Sequence, residues 1–112
     1  MSLILPKTGK HLMNPRLFVN VDPRSLHLPT TRLSGADLFK LHRQISRFGA
    51  SIEGMPPPEV YRGKDGELMI YNGVTRATRA AKLLPGRLIT VEIVDDLKQS
   101  VGHLPTIGSK LP

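Results

Sequence analysis

The chain has 112 residues, 39% of them hydrophobic, which suits one small globular domain rather than two. It has no cysteine, so disulfides, thiolate zinc sites and thiol catalysis are excluded. No apolar run approaches the ~18 residues of a membrane span, and the start lacks a signal-peptide core, so a cytoplasmic protein with no membrane partner is expected. The net charge of +7 is uneven: the first fifty residues carry eight Lys/Arg against two acids and the rest eight against seven, a field that favours nucleic acid, nucleotide phosphate or another acidic partner.

Residues 1–15 contain several breakers and no sustained periodicity, and read as an N-terminal arm. Within it, Leu5-Pro6-Lys7-Thr8-Gly9 spells a sortase-like signal in the wrong place, and is taken as chance. Leu17-Phe18-Val19-Asn20-Val21 suggests a short strand ended by Asp22-Pro23, and Pro23 and Pro29 then keep the chain extended as far as Leu33. Residues 34–48 form the clearest helix, with Ser34 as N-cap, Asp37 as its capping-box partner and Gly49 as terminator. Leu38, Leu41, Ile45 and Phe48 share its apolar face. Lys40, Arg43 and Arg47 project roughly opposite, either as an ordinary solvated face or as a strip that contacts nucleic-acid phosphates. His42 falls at the edge of the helix and reads as a surface residue.

Gly54-Met55-Pro56-Pro57-Pro58 is a stiff entry to a strand at Glu59–Arg62. Gly63-Lys64-Asp65-Gly66 then turns a hairpin into a second strand, Glu67–Tyr71. Asn72-Gly73 breaks that strand, and an Ala-rich helix running to Leu84 begins at once. A strand, a glycine turn and a helix in direct succession leave unpaired N–H groups at the helix start, where an anion is favoured. Val74, Ala77, Ala81 and Leu84 make the apolar face of this helix, and Arg76, Arg79 and Lys82 follow one another in three-residue steps on another. Such cations often form only a solvated face. The alternative is that Arg76, three residues past Gly73, serves the same anion as the backbone amides.

Pro85-Gly86 makes a turn, and Leu88–Val94 is the best strand in the chain, with Ile89, Val91 and Ile93 alternating. Glu92, Asp95 and Asp96 at its end read as solubilising acids, and the four histidines lack ligand spacing, so neither a metal site nor a catalytic constellation is assigned. Residues 97–112 are read as a C-terminal tail running loosely over the surface. With 4% aromatic residues and no Trp, the core must be built from aliphatic side chains.

This order of elements resembles the ParB/sulfiredoxin-type domain, often labelled ParB-like nuclease, over roughly Phe18 to Val94. Leu41, Ile45, Gly49, Pro57 and Val60 follow the family's helix–Gly–Pro–strand pattern approximately, and Asn72-Gly73-Val74-Thr75-Arg76 stands where it carries an Arg-bearing turn. The resemblance implies an α+β fold, a small mixed sheet with packed helices, over residues 16–96. It also implies that Asn72, Gly73, Thr75, Arg76 and Arg79 bind nucleotide phosphate, with Lys40, Arg43, Arg47 and Lys82 as weaker nucleic-acid contacts. Asn72 replaces the family's acid and Thr75 its second basic residue, while the missing cysteine excludes sulfiredoxin chemistry. The further helices of chromosome-partitioning proteins are not expected in the eighteen residues after Val94. The expected function is recognition of a nucleotide or nucleic-acid backbone. The alternatives are a nuclease or nucleotide hydrolase of the same fold, with magnesium recruited by substrate phosphates, or a non-catalytic module with a protein partner.

Overall fold

The computed structural model describes residues 16–112, so the expected arm at 1–15 lies outside the described residues. Four strands form one mixed sheet: β1 Leu17–Val21, β2 Glu59–Arg62, β3 Leu68–Asn72 and β4 Ile89–Asp96, in the order β1-β4-β2-β3. β1 runs antiparallel to β4 with Val19 opposite Val91, and β3 antiparallel to β2 with Ile70 opposite Val60. β2 runs parallel to β4 and places Val60 beside Ile93. This register stacks Val60, Ile70 and Val91 on one face of the sheet, all fully buried.

Two helices accompany the sheet, α1 Leu38–Phe48 and α2 Val74–Leu83. Ala77, Ala80 and Ala81 of α2 are buried in the same cluster as Val60, Ile70 and Val91. Their small side chains let the helix backbone lie close to the sheet, and the core is aliphatic, as composition requires. α1 packs on α2 and fully buries Leu41, but Leu38 and Phe48, expected on the same buried stripe, are each about half exposed. A two-helix layer covers only the middle of that stripe.

Three local expectations are corrected. First, α1 is capped by Asp37 rather than Ser34: its carboxylate accepts from the N–H groups of Phe39 (2.9 Å) and Lys40 (3.1 Å). A helix from Ser34 would have to pass Gly35, which sits at φ 101°, outside the helical region. Second, the stretch from Pro23 to Leu33 is not simply extended. Pro23–Ser25 and Thr30–Arg32 are single 3-10 turns, and between them Leu26, His27 and Leu28 are buried.

Third, the expected loose tail is part of the core. Val101 and Ile107 are buried, and residues 104–107 lie beside Leu26–Leu28, with Leu28 N–H donating to Pro105 O at 2.8 Å and Ile107 N–H to Leu26 O at 2.9 Å. His27 N–H in turn donates to Leu68 O, so this short connector joins the C-terminal segment to β3. The His27 ring spans the same junction, with Nδ1 2.7 Å from Leu104 O and Nε2 2.9 Å from a Glu67 carboxylate oxygen.

The Asp37 cap has a pH signature. The Lys40 N–H bond foremost, with the Phe39 N–H bond and the charges of Lys40 and Arg32, outweighs desolvation and holds its carboxyl below the usual carboxylate range. A folded-state value below the unfolded one adds stability that is present above the unfolded value and lost as pH falls through the folded one. Asp37→Asn is therefore expected to melt below wild type at neutral pH, with the gap closing in acid. Melts followed by circular dichroism across the acid range check this, and a gap independent of pH would refute it.

Candidate functional site

Where β3 ends, Asn72 hands the chain to Gly73 at φ 110°, ψ 25°, and α2 starts at Val74 with no side-chain cap. The left-handed φ favours glycine, and space demands it. A Cβ on Gly73 would stand 2.7 Å from Arg76 Nη2, 2.9 Å from Pro58 Cβ and 3.1 Å from Pro58 Cα. Pro58 is itself fully buried at the entry to β2. The polyproline segment thus walls the turn from one side, and the Arg76 guanidinium folds back over the glycine.

A cleft of about 280 Å³ opens beside this turn, and its far wall is α1 with the Thr30–Arg32 turn. Asn72, Gly73, Thr75 and Arg76 all line it, together with Lys40. An adjoining groove of about 350 Å³ is lined by Lys40, Arg43 and Arg47 of α1 and by Thr75 of α2. The packing of α1 on α2 therefore brings the turn and the basic strip, separate in the sequence, to one surface. Sequence reasoning missed Thr31, Arg32, Gln44 and Tyr71 as further lining residues. For Arg32 the available signal was Pro29-Thr30-Thr31, a proline followed by turn-forming hydroxyls.

Electrostatically the cleft has three cations, Arg32, Lys40 and Arg76, and one acid, Asp37. The Asp37 carboxylate, engaged by two α1 N–H groups, stays ionised and offsets one of these charges, which leaves the cleft with a positive excess. The Asn72 amide reaches Glu59 only at 3.5 Å and stays exposed. Among the described residues, three buried side-chain polar atoms lack a hydrogen-bond partner, Gln44 Oε1, Arg76 Nε and Arg79 Nε. Gln44 and Arg76 line the cleft itself.

Two expected site residues are placed elsewhere. Arg79, 2% exposed, does not line the cleft: its Nη1 donates to Gly49 O at 2.8 Å and Ser51 O at 2.7 Å, and its Cζ lies 5.3 Å from the Phe48 ring centroid. It holds the end of α1, where a cation also meets the negative end of the helix dipole. Burial pulls this guanidinium below its ordinary pKa, yet an arginine keeps its charge in a protein. Lys82, one turn further on, is exposed and donates to Pro112 O at 2.8 Å, away from the cleft.

β4 runs two residues past Val94 and so contains all three acids expected at its end, two of which have cationic partners. Arg16 makes two bonds to the Glu92 carboxylate, at 3.1 and 2.9 Å, and Arg62 makes two to Asp96, at 2.6 and 3.2 Å. Among the described residues no three of His, Asp or Glu come together as a metal-holding group, and no helix is long and apolar enough to cross a membrane. Compared with protein-family models and with curated proteins, the chain matches none.

Proposed function

We propose that this chain is a phosphate-recognising domain with a ParB/sulfiredoxin-like arrangement, whose cleft takes the phosphate oxygens of a nucleotide or a nucleic-acid backbone. One observation carries the reading: Arg32, Lys40 and Arg76 line one cleft at the uncapped start of α2, beside a glycine whose positive φ and close neighbours disfavour any side chain. In this reading the first N–H groups of α2 donate to a phosphate oxygen, as helix starts do. Arg76 and Lys40 neutralise its charge, and the Thr75 hydroxyl and Asn72 amide supply further polar contacts. The four-stranded mixed sheet and the order of its elements support the fold assignment.

The test is titration with nucleoside mono-, di- and triphosphates and with short single-stranded DNA, with and without magnesium, read by thermal shift and calorimetry. An arginine–phosphate contact contributes on the order of 1–3 kcal/mol, so Arg76→Ala is expected to weaken binding about fivefold or more. Arg76→Lys, which keeps the charge but not the fork, should fall between. No saturable binding at millimolar ligand, or equal affinity in Arg76→Ala, would refute the site. Magnesium-dependent product formation would instead favour the hydrolase reading.

A further inference from the structure

The chain has three phenylalanines, and all three are exposed: Phe18 at 44%, Phe48 at 52% and Phe39 at 82%. Phe39 is the most exposed large apolar side chain of the described residues. It lies on the face of α1 directed away from Leu41, where helical spacing sets it beside His42, Arg43 and Ser46. These four residues line a shallow depression of about 460 Å³. Leu38, 53% exposed, flanks one side of this face, and Lys40 and Arg47 flank the other. An exposed phenylalanine beside an arginine one turn on, over a depression they line together, pairs two residue types enriched at protein interfaces.

We infer that this outer face of α1 is a docking surface for a partner protein, and that the partner presents an acidic segment with an apolar side chain to seat against Phe39. Charge complementarity identifies the partner. The cations on and beside the face are Lys40, Arg43 and Arg47, joined by Arg32 on the preceding turn. The nearest acid in the chain, Asp37, has its carboxylate turned to the start of α1. A membrane surface fits less well, because an interfacial helix needs a continuous apolar face. The apolar stripe of α1 points inward through Leu41, which leaves single anchors at Phe39 and Leu38. The surface borders the phosphate cleft and shares Lys40 and Arg32 with it, but its apolar anchor, Phe39, does not line that cleft.

The probe is a synthetic peptide of Glu, Ala and Leu with its leucines along one helical face, beside a scrambled peptide of the same composition. Both are titrated into the nitrogen-15-labelled chain and followed by amide chemical shifts. Saturable shifts centred on Phe39, His42, Arg43 and Ser46 are expected, with the scrambled peptide and Phe39→Ser each weakening binding about tenfold. Phe39→Leu is expected to recover part of the loss. Phe39→Ser is also expected to leave tripolyphosphate binding unchanged, which separates this surface from the cleft. Equal binding of the two peptides, or of Phe39→Ser and wild type, would overturn the inference by showing that charge alone holds the peptide. Phe39-dependent binding to phosphatidylglycerol vesicles in place of the peptide would overturn it in favour of a lipid surface. Concentration-dependent growth in mass by light scattering, abolished by Phe39→Ser, would overturn it in favour of a second copy.

Discussion

A chain stopped after Asp96 is expected to lose its cooperative thermal transition, although every strand and both helices lie before that point. The residues removed contribute Val101 and Ile107, both buried, and Ile107 belongs to the cluster that also holds Leu26, Leu28, Val60 and Ile70. Their loss would uncover Leu26 and Leu28 and strip partners from the polar groups around them. The Asp65 carboxylate, for example, accepts from Gly102 N–H at 2.8 Å and from Val101 N–H at 3.3 Å. Burial raises its pKa, but these bonds and that of the Glu67 N–H outweigh it and hold the group below the usual carboxylate range. Without the C-terminal segment it would keep only the Glu67 bond. The same truncation would leave the His27 ring facing no carbonyl at Leu104. The milder variant Ile107→Ala is expected to cost roughly 3 kcal/mol, the usual loss for truncating a fully buried aliphatic side chain. Urea denaturation of Ile107→Ala and thermal melts of the truncated chain check both. A truncated chain with an unchanged midpoint would show that the segment is dispensable.

The burial of this segment has no local signature in the sequence. A helix or strand announces itself by a period, whereas Val101 and Ile107 are isolated anchors in a stretch broken by Gly and Pro, with no period to detect. The buried connector Leu26–Leu28 was missed for the same reason: two prolines and a histidine conceal three buried residues. By contrast β1 and β2 were legible to the residue, because alternation and turn residues are local signals. The start of α1 was displaced because Ser34 and Asp37 are both good caps, and only the backbone at Gly35 decides between them. At the candidate site the turn was legible, since Asn-Gly after a strand constrains the backbone directly. Its far wall was not, because Arg32 and Lys40 reach the cleft through tertiary packing that has no local signature.

Arg79→Ala is expected to be among the most damaging single substitutions in the chain, costing on the order of 3–4 kcal/mol. Arg76 and Arg79 look equivalent in the sequence, two cations three residues apart on one helix. Three residues advance an α-helix by 300°, however, so the second side chain leaves some 60° from the first. That rotation carries Arg79 away from the open cleft and beneath the end of α1. There its Nη1 bonds Gly49 O and Ser51 O, its Nη2 approaches Met55 Sδ at 3.5 Å, and Phe48 covers the guanidinium. Alanine would leave two carbonyls without their charged donor and open a void between the helices. Arg79→Met separates these effects, since it fills most of the volume but donates nothing. It should recover the packing share of the loss and none of the hydrogen-bonding share. The arginines are then told apart by two measurements on each variant, urea denaturation and phosphate titration. Arg76→Ala is expected to lose affinity far more than stability, and Arg79→Met stability far more than affinity. If Arg79→Met were as stable as wild type, its carbonyl bonds would contribute nothing to the fold. If it also lost phosphate binding, the guanidinium would act in the cleft after all, and α1 would need another tether.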